Sequence, residues 1–240
     1  MDKAATHRIF PTWNFERELY DKGHHFIAGV DEAGRGAWAG PLVAGAVILP
    51  HPDTLDSTSE LAAGLAELRD SKMLTARTRE RLLVLVHQAA LAVGVGIVSA
   101  RLIDVIGIGP ANRLAWVRAL RSMSLQPDHL LLDAFKLPSV CLPQKAIIRG
   151  DSACISIAAA SIVAKVTRDH IMREMDSCHP GWGFSQHKGY GTRNHSASIE
   201  RLGVAPVHRK SFAPIRAALM VQFAPPETDE QEAEEQMGVA

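Results

Sequence analysis

Cysteines are few in this chain of 240 residues, and aromatic side chains make up only 5% of it. The three cysteines, Cys141, Cys154 and Cys178, are widely spaced and form no C-x-x-C pair. This spacing argues against a disulfide framework and against a structural zinc site. The eleven histidines contain no H-E-x-x-H motif either, which argues against a common kind of catalytic zinc site. The first ten residues lack the apolar core of a secretory signal, so we expect a cytoplasmic protein.

Long hydrophobic runs are also missing, with one near exception. Residues 82–98 are interrupted only by His87, Gln88 and two glycines. Charged residues precede this run and Gly94 and Gly96 break it. A helix over residues 78–91 followed by a strand over residues 93–99 therefore fits better than a membrane span. We expect no membrane association.

Positive charge is absent from the end of the chain. Residues 224–240 hold six of the 26 acidic residues and no lysine or arginine. Because this tail begins with two prolines and has almost no large apolar side chains, we predict that it is disordered. All 26 basic residues lie in the preceding body, where they exceed the acidic ones by six. A mildly basic body is compatible with nucleic-acid binding.

The body is rich in aliphatic residues and shows no internal repeat, so we predict one domain over residues 1–223. Apolar runs and helical periodicity predict an α/β protein with a strand-rich first half and a helix-rich second half. The predicted strands cover residues 26–30, 42–49, 93–99, 129–133 and 146–148. The predicted helices cover residues 78–91, 111–123, 152–176 and 194–202.

Two acids stand side by side where the first predicted strand ends. Asp31 and Glu32 follow the apolar run from Phe26 to Val30 and precede Gly34 and Gly36. A strand would hold both carboxylates on a rigid element, and the glycines would let a polymer backbone approach bound metal ions. The pattern suggests a metal-dependent active site, although an acidic pair before glycines is more often a solvated turn.

The same segment also fits the G-x-G-x-x-A pattern of dinucleotide-binding proteins, through Gly34-Arg35-Gly36-Ala37-Trp38-Ala39. That fingerprint has to open a helix. Here it leads through Gly40 and Pro41 into the second predicted strand. The context therefore disfavours dinucleotide binding, which stays open as an alternative function of a different class.

Two further acids occupy positions that suit a metal site. Asp133 ends the apolar run from His129 to Leu132, so it too lies at the end of a buried strand. Asp151 is different, because we predict it at the N-terminus of the long helix, where a capping role is the simpler interpretation. Solvated or capping positions are expected for Asp104, Asp128 and Asp169.

Basic and aromatic residues in the second half offer candidate contacts to nucleic acid. The long helix is small and apolar in its first part, which predicts burial, and then becomes polar. Lys165 and Arg168 in the polar part can either contact phosphate or pair with local acids. Tyr190 lies between Gly189 and Gly191 in a basic loop. Its ring can either stack on a sugar or base or pack within the loop.

Together these residues resemble one family, the type 2 ribonucleases H, or ribonuclease HII. The resemblance covers about residues 15–215 and rests on Asp31-Glu32-Ala33-Gly34-Arg35-Gly36, Asp70-Ser71-Lys72, Leu132-Asp133, Gly150-Asp151-Ser152, the helix from Ser156 to Asp169, Lys188-Gly189-Tyr190-Gly191-Thr192 and His208-Arg209-Lys210-Ser211-Phe212. Two departures are Ala134, where glycine is commoner, and Met73, where a second lysine is usual. Neither removes a metal ligand, whereas Met73 is expected to weaken a substrate contact.

The resemblance implies a ribonuclease H-like fold, with a central mixed β-sheet flanked by helices and a helical C-terminal part over residues 192–223. It implies that Asp31, Glu32, Asp133 and Asp151 are both the catalytic and the metal-binding residues. Clustered acids would raise one another's pKa values unless divalent cations were bound, and oxygen ligands suit Mg²⁺ or Mn²⁺. The implied reaction is two-metal phosphodiester hydrolysis, which leaves 5′-phosphate and 3′-hydroxyl ends.

The resemblance also implies the substrate and the residues that read it. A monomeric endoribonuclease would cut on the 5′ side of a ribonucleotide, in RNA/DNA hybrids and at single ribonucleotides embedded in duplex DNA. Main-chain groups of Gly34-Arg35-Gly36 would contact the ribose 2′-hydroxyl, and Tyr190 would stack on the deoxyribose on the 3′ side of the scissile phosphate. Phosphate contacts would come from Lys72, Lys165 and Arg168. The alternative enzyme is another ribonuclease H-like nuclease, such as a junction resolvase.

Overall fold

A mixed β-sheet of five strands forms the centre of the structure, a computed structural model that describes residues 10–222. The strands are β1 (Ile27–Ala33), β2 (Leu42–Ile48), β3 (Ala92–Val98), β4 (His129–Asp133) and β5 (Gln144–Ile147), in the order β3-β2-β1-β4-β5. β2 pairs antiparallel with β1 and β3, whereas β4 pairs parallel with β1 and β5. The predicted mixed sheet is therefore confirmed. The predicted acidic tail, residues 224–240, lies outside the described residues.

Besides two short 3₁₀ helices at Pro52–Thr54 and Ser71–Met73, residues 10–222 contain ten α-helices. They are α1 (Asn14–Tyr20), α2 (Glu60–Ala66), α3 (Ala76–Ala89), α4 (Ala100–Ile106), α5 (Ile108–Arg121), α6 (Gly150–Ala153), α7 (Ile155–Cys178), α8 (Phe184–His187), α9 (Arg193–Leu202) and α10 (Ala213–Gln222). The predicted helical C-terminal part corresponds to α9 and α10. None of the described helices has both the length and the apolar composition that crossing a membrane requires.

The longest helix, α7, packs across one face of the sheet against β1 and β2. Its first part is buried almost all round, as the small apolar side chains predict. The approach is close enough to require a glycine in β1, because a Cβ on Gly29 would lie 2.1 Å from the carbonyl carbon of Ser156. Val47 of β2 packs on the same side, against a cluster that includes Ala159 and Val163.

Helix α5 covers the opposite face, against β2 and β3. Alternate residues of the strands point towards it, and Ala28 and Val30 of β1 lie in one buried cluster with Trp116 of α5. β1 continues beyond its predicted end at Val30 as far as Ala33. The first two acids therefore lie within the strand, and the alternation turns Asp31 towards α7 and Glu32 towards α5.

The predicted position of Asp151 at the start of the long helix is wrong. Cys154 has an extended backbone (φ −128°, ψ 127°) and separates the short helix α6, which contains Asp151, from α7. Glu16 of α1 caps α7 instead, because its Oε1 accepts hydrogen bonds from the Ser156 N–H at 2.8 Å and the Ser156 hydroxyl at 2.7 Å. The carboxylate of Asp151 is thus spared the capping role.

Candidate active site

The carboxylates of Asp31, Glu32 and Asp133 line one cavity of about 520 Å³. The parallel pairing of β1 and β4 places Val30 opposite Leu132, so the acids that follow these two residues lie at the same edge of the sheet. Asp151 is held nearby on α6, since the N–H of its neighbour Gly150 donates to Asp133 Oδ1 at 2.7 Å. The structure therefore brings together the four predicted acids from three separate segments.

Burial and charge repulsion both act on these acids. Asp31 is only 4% exposed. Burial, followed by the charges of Glu32 and Asp133, raises the pKa of Asp31 well above its usual range, and the Ser161 hydroxyl opposes this in part. Burial also raises the pKa of Asp133, against the lowering effect of the Gly150 N–H. The expected charge repulsion does raise these pKa values, but burial raises them more. A cation bound nearby would counteract both effects.

Glu32 is oriented by side chains on the α5 side of the sheet. The Trp116 indole N–H donates to Glu32 Oε2 at 3.0 Å, and Arg35 Nη1 lies 4.0 Å from Oε1. The Phe135 ring stacks on Trp116 at 4.4 Å, and the Arg35 guanidinium carbon lies 5.5 Å from the centre of the same Phe135 ring. Burial raises the pKa of Glu32, while the Asn112 amide, Arg35 and the Trp116 N–H lower it. The carboxylate thus has a defined direction without any ligand.

The four carboxylates suit hard divalent cations whose coordination is completed by water and substrate. Among residues 10–222, no three carboxylate, imidazole or thiol side chains already stand in position to hold a metal ion by themselves. The four acids nevertheless offer oxygen ligands only, and cations would relieve the raised pKa values of three of them. Mg²⁺ keeps several of its waters and is usually bound by one or two carboxylates together with substrate phosphates. The residues therefore suit Mg²⁺ or Mn²⁺ completed by a phosphodiester.

The loop after β1, residues 34–41, presents its backbone to the cavity. Gly34, Arg35 and Gly36 line the cavity, and their N–H groups donate no backbone hydrogen bond to another described residue. A Cβ on Gly36 would meet no heavy atom within 4 Å. Gly34 has φ of 91°, and a Cβ there would lie 1.9 Å from Arg168 Nε. The protein itself requires Gly34, whereas Gly36 leaves open space beside the acids.

This glycine loop does not open a helix. Residues 34–41 lead directly into β2, which pairs antiparallel with β1. A dinucleotide fingerprint needs the N-terminus of a helix to receive the pyrophosphate. The dinucleotide-binding alternative for Gly34 to Ala39 is therefore wrong.

Tyr190 lines the same cavity, in a loop that is bonded to the glycine loop. The Gly189 carbonyl accepts hydrogen bonds from the Trp38 N–H at 2.7 Å and the Ala39 N–H at 3.3 Å. Lys165 Nζ lies 5.6 Å from the centre of the Tyr190 ring, and the Arg168 guanidinium carbon lies 5.2 Å from it. Both cations can be attracted to the ring face, so the ring is held beside the glycine loop.

Lys72 and Lys165 lie where a phosphate could be contacted. Lys72 is exposed, and its Nζ lies 3.5 Å from Asp151 Oδ2. Although partial burial lowers the pKa of Lys72, the charges of Asp70, Asp151 and Asp31 raise it overall. Lys165 lines the cavity, and its Nζ pairs with Asp169 Oδ1 at 2.6 Å. Met73, beside Lys72, is 70% exposed and adds no charge.

The predicted phosphate contact of Arg168 is at odds with its position. The side chain is fully buried. Its Nε donates to the Pro41 carbonyl at 2.9 Å, and its Nη2 donates to the Ala39 carbonyl at 3.1 Å. Arg168 therefore stabilises the glycine loop from the protein interior, and a phosphate in solution could not reach it.

Two more charged residues near the site have structural roles that the sequence did not predict. Arg209 is fully buried and donates to the carbonyls of Gly40 and Arg35, both at 3.0 Å. Asp169, expected in a solvated or capping position, is instead buried between Lys165 and Arg79, whose Nη2 lies 3.4 Å away. The spacing of four between Lys165 and Asp169 was an available signal. Nothing in the sequence around Arg209 indicated an internal role.

A buried pair of histidines connects the Tyr190 loop to the segment before α10. His195 Nδ1 lies 3.0 Å from the Tyr190 carbonyl, and His195 Nε2 lies 3.0 Å from His208 Nε2. The Ala205 N–H donates to His208 Nδ1 at 2.9 Å. Because the Tyr190 carbonyl can only accept, His195 Nδ1–H donates to it, and in the neutral rings His195 Nε2 then accepts from His208 Nε2–H. Burial is the main cause that lowers the pKa of each histidine to about 4.

Comparison with known proteins agrees with this geometry. A profile of the ribonuclease HII family matches residues 28–215. The chain belongs to the ribonuclease HII family. A curated ribonuclease HII from Chloroflexus aurantiacus is 48% identical, over 88% of this chain and 98% of its own length. One from Geobacillus thermodenitrificans is 50% identical, over 92% of this chain and 81% of its own length.

The solved structures place the fold in the same family. The ribonuclease H2 of Pyrococcus horikoshii OT3 superimposes with a TM-score of 0.65 at 25% identity, covering 80% of this chain and 96% of that one. The predicted ribonuclease H-like fold is thus confirmed. Membership of the ribonuclease HII family makes the chain a nuclease of the ribonuclease H type. Ribonucleases HII act on RNA/DNA hybrids and depend on divalent metal ions.

Proposed function

We propose that this protein is an endoribonuclease that hydrolyses the phosphodiester on the 5′ side of a ribonucleotide. Its substrates are RNA/DNA hybrids and single ribonucleotides embedded in duplex DNA, and it leaves 5′-phosphate and 3′-hydroxyl ends. This activity suits the removal of ribonucleotides from DNA. We further propose that it acts as a monomer in the cytoplasm, a location supported by three cysteines that are all unpaired.

The observation that carries the proposal is the open space at Gly36 beside the buried acids. Asp31, Glu32 and Asp133 line the same cavity as the backbone of residues 34–36. A nucleotide that enters this space brings its sugar to unused N–H groups and its phosphate to the acids. Telling RNA from DNA requires contact with the 2′-hydroxyl, and free N–H donors on a fixed backbone offer that contact.

Asp31, Glu32, Asp133 and Asp151 would hold the metal ions, which are Mg²⁺ or Mn²⁺. When bound, two such ions supply activation of the attacking water and stabilisation of the leaving 3′-oxygen. The protein orients the ligands beforehand. Trp116 directs Glu32 Oε2 and the Gly150 N–H directs Asp133 Oδ1, through hydrogen bonds of 3.0 Å and 2.7 Å.

The remaining contacts read the substrate on either side of the reacting phosphate. Tyr190 would stack on the deoxyribose on the 3′ side of the cut, which favours an RNA-to-DNA junction. Lys72 and Lys165 would contact phosphates, so binding would weaken as salt rises. The exposed ammonium of Lys72 and the cavity position of Lys165 support these roles.

A cleavage assay with four substrates tests the proposal. The substrates are a DNA duplex with one ribonucleotide, an RNA/DNA hybrid, the matching all-DNA duplex and a four-way DNA junction, each with and without Mg²⁺. We expect cleavage of the first two only, in the presence of Mg²⁺, with a 3′-hydroxyl on the upstream fragment. Cleavage of the junction would favour a resolvase, and cleavage without divalent ions would contradict the proposed chemistry.

A further inference from the structure

Two buried arginines donate hydrogen bonds to backbone carbonyls of the glycine loop. Arg168 of α7 donates to the carbonyls of Ala39 and Pro41, and Arg209 donates to those of Arg35 and Gly40. The loop thus has four of its carbonyls turned inwards. These contacts fix the backbone of the loop, whose residues 34–36 line the cavity and have N–H groups without a backbone partner.

Burying such a pair of arginines costs free energy. Both side chains are fully buried. Within residues 10–222 neither forms an ion pair with a carboxylate, and Arg168 Nη1 and Arg209 Nη2 have no hydrogen-bond partner. A buried charge normally requires pairing, because desolvation is expensive. An apolar side chain would fill the same space more cheaply but would not hold the loop carbonyls.

Arg168 differs from Arg209 because it contacts both elements proposed to recognise the substrate sugars, the glycine loop and Tyr190. Gly34 lies directly on its side chain, so closely that a Cβ would come to 1.9 Å from Nε. On its other side, its guanidinium carbon lies 5.2 Å from the centre of the Tyr190 ring. Arg209 has its guanidinium over Phe212 instead, at 5.2 Å. Only Arg168 of the two therefore fixes the distance between the glycine loop and Tyr190.

We propose that Arg168 is a specificity-determining positioning residue, which holds the glycine loop and the Tyr190 ring at the spacing of a ribose followed by a deoxyribose. This inference rests on the proposed function. A single embedded ribonucleotide engages both reading elements at once, whereas a uniform RNA strand presents ribose to both. Loss of Arg168 should therefore reduce cleavage of the first substrate more than cleavage of the second.

The test compares Arg168→Lys with Arg209→Lys, a matched loss of a buried guanidinium that contacts the glycine loop and Phe212 but does not stack on the Tyr190 ring. For each protein, kcat/KM is measured on a duplex with one ribonucleotide and on an RNA/DNA hybrid. In Arg209→Lys we expect both rates to fall together, with the ratio between substrates unchanged. In Arg168→Lys we expect the ratio to fall by about tenfold, as misplacement of contacts by a fraction of an ångström can produce.

A double-mutant comparison separates positioning from general loosening. Tyr190→Leu should lower the same ratio, and adding Arg168→Lys to it should lower the ratio no further, because the two changes remove one shared effect. Thermal unfolding of every variant checks the fold. Arg168→Gln, which keeps one planar donor for a carbonyl, takes the place of Arg168→Lys if the latter is unfolded.

Three outcomes overturn the inference. They are an unchanged ratio in the folded Arg168 variant, an equal change of ratio in Arg209→Lys, and full additivity with Tyr190→Leu. Failure of the proposed function gives a different result, because the unmodified protein itself would then not cleave the ribonucleotide-containing duplex.

Discussion

The indole N–H of Trp116 donates a hydrogen bond of 3.0 Å to Oε2 of Glu32, across 84 residues of sequence. Trp116 is fully buried and stacks on Phe135, which follows the acid Asp133 by two positions. The orientation of one proposed metal ligand is therefore connected to the backbone that carries another. A carboxylate whose direction is fixed in this way loses less freedom when a cation binds.

Removing this hydrogen bond should weaken metal use while leaving the fold intact. Trp116→Phe keeps a ring to stack on Phe135 but deletes the donor. We expect the Mg²⁺ concentration for half-maximal cleavage to rise by about tenfold, in the range seen for residues that orient metal ligands. Trp182→Phe is the matched control, because it deletes an indole hydrogen bond of 3.1 Å to the Gly203 carbonyl, far along the chain from the acids.

Nuclear magnetic resonance gives a second readout for Trp116 without any catalysis. In the ¹⁵N-labelled protein, the Trp116 indole N–H signal should shift on addition of Mg²⁺, and its absence from the spectrum of Trp116→Phe assigns it. A Trp116 signal that ignores Mg²⁺, together with an unchanged metal requirement in Trp116→Phe, would show that the contact to Glu32 does not serve metal binding.

The two glycines of the loop should respond in opposite ways to alanine. A Cβ at position 36 meets no heavy atom within 4 Å. The free energy of unfolding of Gly36→Ala should therefore differ from that of the parent protein by no more than about 0.5 kcal/mol. Cleavage should nevertheless fall by about a hundredfold, because the methyl group occupies the space intended for the nucleotide. Normal kcat/KM in Gly36→Ala would mean that the substrate passes elsewhere.

Gly34→Ala should instead destabilise the protein. The residue has φ of 91°, and the added Cβ would lie 1.9 Å from Arg168 Nε. Backbone strain and the displaced arginine together should lower the free energy of unfolding by about 2 kcal/mol or more. Urea denaturation measures this directly, and a stability equal to that of Gly36→Ala would contradict the close contact between Gly34 and Arg168.

Ala134, which directly follows Asp133, is held in the left-handed region with φ of 62°. A side chain costs energy in this conformation, whereas glycine adopts it freely. Ala134→Gly should therefore raise the free energy of unfolding by about 0.5–1 kcal/mol. Ala197→Gly, at an exposed position inside α9, should lower it by a similar amount. Equal losses in both variants would contradict the strain at position 134.

The histidine pair predicts how stability changes with pH. Burial keeps the pKa values of His195 and His208 at about 4 in the folded protein, compared with about 6.5 in the unfolded chain. Between these values the unfolded chain binds more protons, so the stability from this pair is complete above about pH 6.5 and falls as the pH is lowered towards 4. Each histidine should contribute a loss of about 1–2 kcal/mol at pH 5.

His208→Gln tests this contribution, because glutamine can still donate to His195 Nε2 but does not titrate. The fall in melting temperature between pH 7 and pH 5 should be smaller in His208→Gln than in the parent protein. The same pH slope in both proteins would show that these histidines are not the groups that gain protons on unfolding.

The strand ends were the part of the site that local sequence could predict. Asp31 and Asp133 each follow a short apolar run, and parallel pairing brings such residues to one edge of a sheet. The helix boundary near Asp151 was harder, because Cys154 and Ser156 are satisfied by Glu16, about 140 residues earlier in the chain. A cap contributed from so far away leaves no local pattern.

The supporting residues could not be predicted for the same physical reason. Trp116 and Arg209 act on partners 84 and 174 residues away, and each lies in a segment whose local pattern predicts only burial or a polar turn. Arg168 was misjudged because a basic residue on a partly polar helix usually faces solvent. Arg168 is buried because the glycine loop packs over this part of α7. This packing is a tertiary contact that the local sequence does not reveal. The short helices α2 and α4 were also missed, although Ser59 and Ser99 cap them.

Asp31 is the most buried of the proposed metal ligands in the ribonuclease site. The deciding measurement is Mg²⁺-dependent cleavage of a duplex with one ribonucleotide by Asp31→Asn, with the exposed Asp53→Asn as control. We expect Asp31→Asn to be folded, more resistant to heat in the absence of metal because a buried, repelled charge is gone, and slower by at least roughly a thousandfold. Asp53→Asn should match the parent protein. Cleavage by Asp31→Asn at the parent rate would contradict the proposed active site.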